Sequence, residues 1–385
     1  MADGLRTLEQ LLAAKEIVIC CGSGGVGKTT TAASAAAMSA ASLGAKTLVL
    51  TIDPARRLAD ALGLERLGNA EKQVPPEAFK EAGVDPRGEL WAAMLDTKQS
   101  WDELVRRHAP DKATADRILA NELYHNVSAR FIQSHEYIAM ERLYEVHAAG
   151  RYDLIVVDTP PTRHAVDFLQ APDRMAEFFA SRLLRWLTAS AGSRLFALAS
   201  RPFYQVADRI LGSQFLEDVA EFFLLFQSMY GGFSQRAESV KRLLHERRTT
   251  FLVVSTLEAA PLREAELFLA ALVEGGFHPG ALVLNKMLPA YLRDPAVAAV
   301  ADRLGADAPA LAATVGEGAG PHEAVARVLR EVASSFHNFA VVAKREAEQR
   351  AELSTVPDVV VTVPYFDDDI GDLAGLLRLG RSIWG

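Results

Sequence analysis

The chain has 385 residues, half of them apolar, which suffices for one large α/β domain and excludes collagenous, disordered and disulfide-rich classes. Its 41 basic and 49 acidic residues leave a net charge of −8, the wrong sign for a chain whose main partner is a phosphate backbone, so nucleic acid is not an expected partner. Two adjacent cysteines cannot build a disulfide framework, residues 1–15 lack both a basic start and a continuous apolar stretch, and solid apolar runs such as 222–226 are too short to cross a bilayer. A cytoplasmic protein with at most peripheral membrane contact is expected.

In chain order, strands are expected at 17–21, 47–51, 154–157, 251–255, 281–284 and 359–363, short β-branched runs that are apolar without alternation and therefore buried on both faces. Helix-period segments such as 30–43, rich in alanine and stopped at Gly44, separate them. The fold class is α/β, a doubly wound, mostly parallel sheet. Residues 68–88, with Pro75, Pro76 and Pro86, and 305–321, with a glycine run at 316–320, read as loops. Three helical stretches are too long for simple crossovers: 100–147, 173–244 and 322–353. The first two are expected to form a helical subdomain of a single domain spanning 1–385, with 322–353 as an optional third contributor. The 173–244 stretch is unusually apolar. That composition suits a helix core and equally a groove for an apolar client.

The chemistry begins where the first strand ends. Gly22-Ser23-Gly24-Gly25-Val26-Gly27-Lys28-Thr29 fits the GxxxxGK[ST] phosphate loop, immediately after a strand and before a helix. Gly24, Gly25, Val26, Gly27 and Thr30 offer backbone N–H groups to phosphate, Lys28 reaches the β- and γ-phosphates, and the Thr29 hydroxyl ligates Mg²⁺. The expected ligands are thus ATP and Mg²⁺. The second strand ends at Thr51-Ile52-Asp53-Pro54, where Asp53 is either a turn initiator or the acid that orients an attacking water. Leu154-Ile155-Val156-Val157-Asp158 delivers a second carboxylate to the same sheet edge, near Mg²⁺ through water. Pro160 and Pro161 stiffen the backbone just beyond it, as a γ-phosphate sensor requires.

The GGVGKTT loop, Asp53-Pro54-Ala55 followed by Leu58-Ala59-Asp60-Ala61-Leu62, and the 158–169 segment Asp-Thr-Pro-Pro-Thr-Arg-His-Ala-Val-Asp-Phe-Leu together resemble the ArsA/guided-entry ATPases. These are the arsenite-pump ATPase and the targeting factor for tail-anchored membrane proteins. The resemblance implies ATP hydrolysis in which Lys28 and Asp53 are catalytic, Asp53 positioning water and touching Mg²⁺ through it. It makes Asp158 the first residue of switch II, Glu258 an acid approaching nucleotide across a dimer, Asn285 the reader of the adenine edge, and Pro364-Tyr365-Phe366 the loop closing over the base.

This chain also departs from the family pattern. Ser23 occupies the position of a signature lysine that contacts the partner subunit's nucleotide, so a slow homodimer or a heterodimer with a paralogue is expected. Cys20 and Cys21 cannot supply converging thiolates for arsenite, and the zinc-bearing CxxC of the targeting factor is missing. His164 is not expected to bind metal. The C-terminal apolar residues Ile370 to Trp384 are crowded by Asp367, Asp368, Asp369 and Asp372, which favours a packed helix over a membrane anchor of the MinD kind. Three functions remain open: an ATPase whose dimer closure handles an apolar protein client or targets it to a membrane, the ATP-driving subunit of an anion or metalloid exporter with a membrane-protein partner, and a nucleotide-switched positioning ATPase.

Overall fold

The structure is a computed structural model that describes residues 6–52, 57–121, 124, 134–160, 225, 230–315, 320–353 and 357–384. Eight strands occur among them: β1 Ile17–Cys21, β2 Lys46–Thr51, β3 Lys72–Gln73, β4 Glu89–Met94, β5 Leu154–Asp158, β6 Thr249–Ser255, β7 Pro279–Met287 and β8 Val359–Pro364. They form one sheet in the order β3-β4-β2-β5-β1-β6-β7-β8, parallel except for the edge pair β3–β4. The expected six strands are all present, each end within three residues of the expected one. β1 lies inside the sheet, and the chain turns to opposite sides of it through β2 and β6, which creates a crevice at the strands' carboxyl ends. The register aligns Cys20 and Thr51 with Asp158, so the ends of β1, β2 and β5 share one edge.

Both sheet faces are covered, which is why the inner strands lack alternation. Ile17, Ile19 and Cys21 face one apolar layer and Val18 and Cys20 the other. The first layer contains α5 Thr97–His108, α6 Lys112–Ala120, α7 Ser134–Ala148, α8 Tyr230–His245 and α9 Ala259–Glu274. Asp96 and Asp111 cap α5 and α6 by accepting from the N–H groups of Gln99 and Thr114. α7 and α8 are joined by Arg236 Nε donating to the buried Glu141 carboxylate at 2.6 Å, with the same guanidinium 4.1 Å from the Tyr144 ring. The second layer holds α1 Leu8–Ala13, α2 Lys28–Met38, α3 Arg57–Ala61, α4 Pro76–Glu81 and α13 Leu373–Trp384.

Three local expectations need correction. The helix expected over 30–43 is α-helical only to Met38 and continues as a π-helical turn, Ser39–Leu43, before Gly44 ends it at φ 72°. Residues 68–88 are not all loop: β3 lies within them, and Pro75 and Pro76 start α4, as N-cap and first helical residue, where a missing N–H costs nothing. Residues 305–321 include α11 Ala308–Thr314, which follows α10 Pro295–Ala306. The expected helix over 322–353 is α12 His322–Glu352, and it packs on α10 and α11 rather than on α5–α8. Of the apolar 173–244 stretch, only Leu225 and 230–244 fall within the described residues.

Candidate functional site

The loop between β1 and α2 is shaped by backbone that only glycine adopts easily. Gly25 has φ 78° and Gly27 φ 98°. A methyl group on Gly22 would lie 2.1 Å from the Val254 carbonyl oxygen, and one on Gly27 would lie 2.3 Å from Asn285 Nδ2. The loop is thus drawn tight against β6 and the end of β7, and it delivers the N-terminus of the 11-residue α2 to the sheet edge. Lys28, the first residue of α2, is buried, and its Nζ donates to the Ser23 carbonyl at 2.7 Å.

Asn285 and Lys286 hold the loop from the other side. Asn285 Nδ2 donates to Val26 O at 2.8 Å and Lys286 Nζ to Gly25 O at 3.1 Å. Because C=O and N–H point oppositely across a trans peptide, fixing these two carbonyls turns the N–H groups of Val26 and Gly27 the other way. Lys286 has φ 59°, the only positive value at a non-glycine among the described residues, and its own N–H donates to Asn285 Oδ1 at 2.9 Å. Sequence reasoning missed Lys286. Its neighbour Asn285 marked the place, but a left-handed lysine leaves no trace in a pattern of residue types.

A cleft of about 900 Å³ opens beside this loop. Gly25, Gly27, Lys28, Thr29 and Thr30 form one wall, Asn285 and Lys286 a second, and Pro364, Tyr365 and Phe366 a third. The structure therefore assembles the expected phosphate loop, Asn285 and the 364–366 segment around one space. Tyr365 N donates to Met287 O at 2.9 Å, and Arg378 lies 5.5 Å from the Phe366 ring, tying the third wall to β7 and α13. Arg57, Asp60, Asp368 and Asp369 also line the cleft, contributions the sequence did not single out.

Other expected residues lie elsewhere. Asp158 is completely buried and does not line the cleft; its Oδ2 accepts from Thr51 Oγ1 at 2.9 Å. Glu258 is the exposed N-cap residue of α9 and is not part of the cleft wall. Gly24 and Val26 belong to the loop without lining the cleft. Ser23 is engaged within its own chain, its Oγ donating to the Glu264 carboxylate. Asp53, His164 and the segment after Pro160 fall outside the described residues. Burial pushes both cysteine thiols up, Cys21 to about 12, and no cluster of three or more His, Cys, Asp or Glu side chains suited to a metal exists among the described residues.

The residues present suit a nucleoside triphosphate with Mg²⁺: the held loop turns the Val26 and Gly27 N–H groups to one side, a buried lysine heads a helix N-terminus, and the Thr29 residue of the cleft wall and the Asp158 carboxylate belong to segments that meet at the same sheet edge. Thr29 and Asp158 are the residues that would hold Mg²⁺. The bound ion would neutralise charge on the β- and γ-phosphates.

A phosphate-cradling loop between an inner strand and a buried helix, set at the switch point of a parallel sheet, defines a P-loop nucleotide-binding α/β protein. Comparison with known families narrows this. The profile of the anion-transporting ATPases, ArsA_ATPase, matches residues 15–307, and the chain belongs to that family. Among curated relatives, proteins named "Putative arsenical pump-driving ATPase" from Chlorobaculum tepidum and Prosthecochloris vibrioformis are 26% and 25% identical over 255 residues, covering 65% of this chain and 56% of each relative. A third from Aquifex aeolicus is 23% identical over 264 residues, with 58% of its length covered. The chain thus spans a little over half the length of the relatives it matches.

Proposed function

We propose that this chain binds Mg-ATP in the cleft beside the 22–30 loop, hydrolyses it, and uses the nucleotide state to open and close a dimer that handles an apolar protein segment. The observation that carries the ATPase reading is the loop held from both sides, with Lys28 buried at the head of α2 and Asn285 and Lys286 fixing successive carbonyls. In this reading Lys28 binds the β- and γ-phosphates, Asp53 orients the attacking water, and Asp158 reports on the γ-phosphate through the segment that follows it. Asn285 and the 364–366 wall receive the base. Such chemistry needs positioning and charge stabilisation more than a strong base.

The dimeric part rests on Ser23 and Glu258. A serine bonded to its own chain's Glu264 brings no positive charge to a second subunit. The site is then completed by a paralogue, or turnover in a homodimer is slow. The apolar client is supported by the composition of 173–244. A second reading, an ATPase driving an anion exporter, is favoured by the family's description and by the relatives' names. The buried, high-pKa thiols argue against arsenite or antimonite as a ligand of this chain, because those ions bind thiolates. The packing of α13 on α2 argues against a lipid-binding C-terminal helix and so against the positioning ATPase.

Steady-state hydrolysis and binding of a fluorescent ATP analogue test the proposal. Lys28→Ala is expected to lose binding, while Asp53→Asn binds nucleotide but does not turn over. Hydrolysis by Asp53→Asn at the wild-type rate would remove the water-positioning role from Asp53. Stimulation of hydrolysis by an apolar helical peptide supports the client reading; stimulation by an oxyanion, with none by peptide, supports the exporter.

A further inference from the structure

α12 is 31 residues long, about 46 Å at 1.5 Å per residue, and shows two different faces. Its inner face is small: Ala326 and Ala333 are buried, and α10 and α11 pack against the helix. On the opposite side Val328, Val332, Ser335, Phe339 and Val342 follow one another at spacings of four, three, four and three, the seam of a two-stranded coiled coil. The four apolar members are 45–54% exposed. Scattered surface valines need no explanation, but four large apolar side chains on one continuous seam mark an interaction surface.

The seam is complementary to itself when two copies run antiparallel about a two-fold axis near residue 337. Val332 then meets Val342 of the second copy, and the bulky Phe339 lies over the small Ser335. Glu331 and Arg345, which flank the seam on one side, come beside each other across the axis, the arrangement that sets partner and orientation in coiled coils. Both are exposed, and neither forms an ion pair among the described residues. A parallel pairing would stack Phe339 on Phe339 and leave Glu331 and Arg345 about 21 Å apart along the helix. We infer that the outer face of α12 is a self-association surface on which a second copy of this chain docks antiparallel through Val332, Ser335, Phe339 and Val342, with Val328 at the rim opposite Glu346. Since α12 contributes nothing to the cleft wall, this contact is separate from any dimer closed by nucleotide. A seam about 21 Å long belongs to the small-interface class, so the pair dissociates on dilution.

Single-cysteine cross-linking of the full chain reads both contact and direction, with little background from Cys20 and Cys21 because both are buried. With the axis at residue 337, position 338 is displaced from its own mate by about 3 Å along the helix and position 328 by about 27 Å. A short bis-maleimide should therefore capture Asn338→Cys as a covalent dimer and leave Val328→Cys monomeric. Capture is expected without ATP, and to persist when Lys28→Ala is added. Val332→Glu in the Asn338→Cys chain should abolish capture and shift sedimentation at high protein concentration from dimer to monomer. Its ATP binding should be unchanged, which shows that the chain is folded. Failure of Asn338→Cys to cross-link, equal capture at 328 and 338, capture that depends on ATP or on Lys28, or capture unaffected by Val332→Glu would each overturn the inference.

Discussion

Replacing Gly27 by alanine isolates how the phosphate loop is held. At φ 98° an L-residue carries a strain of roughly 1–2 kcal/mol. The new methyl would also lie 2.3 Å from Asn285 Nδ2, forcing the amide off Val26 O and forfeiting a hydrogen bond worth about 1 kcal/mol. The loop escapes both by leaving its cradle, and nucleotide binding must then restore it, a total of about 2–3 kcal/mol or roughly a 30- to 150-fold loss of affinity. A titration with fluorescent ATP measures this. The diagnostic step is the double-mutant cycle with Asn285→Ala, which removes the clashing atom but not the strain. In that background Gly27→Ala should cost about 1 kcal/mol less than in the wild type. If the two substitutions were simply additive, or if Gly27→Ala bound ATP like the wild type, the idea that Asn285 holds this loop would fail.

Ser23→Lys should raise single-turnover hydrolysis, and more so together with Glu264→Gln, because Glu264 would otherwise hold the new ammonium within its own chain; unchanged rates in both would reject an incomplete site. Gly380→Ala should destabilise the fold by about 1–3 kcal/mol in urea denaturation, since its methyl would lie 2.1 Å from Met38 Cγ, and Met38→Ala should recover part of the loss; no change would mean that α2 and α13 are loosely packed. Iodoacetamide at pH 8 should leave Cys20 and Cys21 unlabelled by mass spectrometry until the chain unfolds, whereas labelling at the denatured rate would contradict their burial. Both folded thiol pKa values lie above the unfolded value of about 8.5, so the stability they contribute is complete below that pH and lost as pH rises through the folded values, that of Cys21 being about 12.

The strands that build the site were legible because burial on both faces leaves uninterrupted β-branched runs, and the phosphate loop because its glycines, lysine and threonine are consecutive. Asp158 was legible for the same reason, at the end of four apolar strand residues. β3 and α4 were not, since two-residue edge strands carry no periodicity and paired prolines signal a break as readily as a helix start. The π-helical turn after Met38 was equally hidden, because alanine and serine suit either helix.

What sequence alone determined is the chemistry carried on contiguous residues: a parallel sheet, a nucleotide-binding loop at the end of its first strand, and an acid at the end of another. The tertiary structure decided how these parts are held. Asn285 is bonded to Val26 across 259 residues and Ser34 Oγ to the Leu376 carbonyl across 342. Lys286 is left-handed where it meets the loop, Ser23 is bonded to Glu264, and Asp158 is fully buried rather than on the cleft wall. Local patterns follow from the periodicity of a strand or helix, whereas these contacts depend on which distant segments the sheet order brings to one edge, and no window of neighbouring residues contains that information.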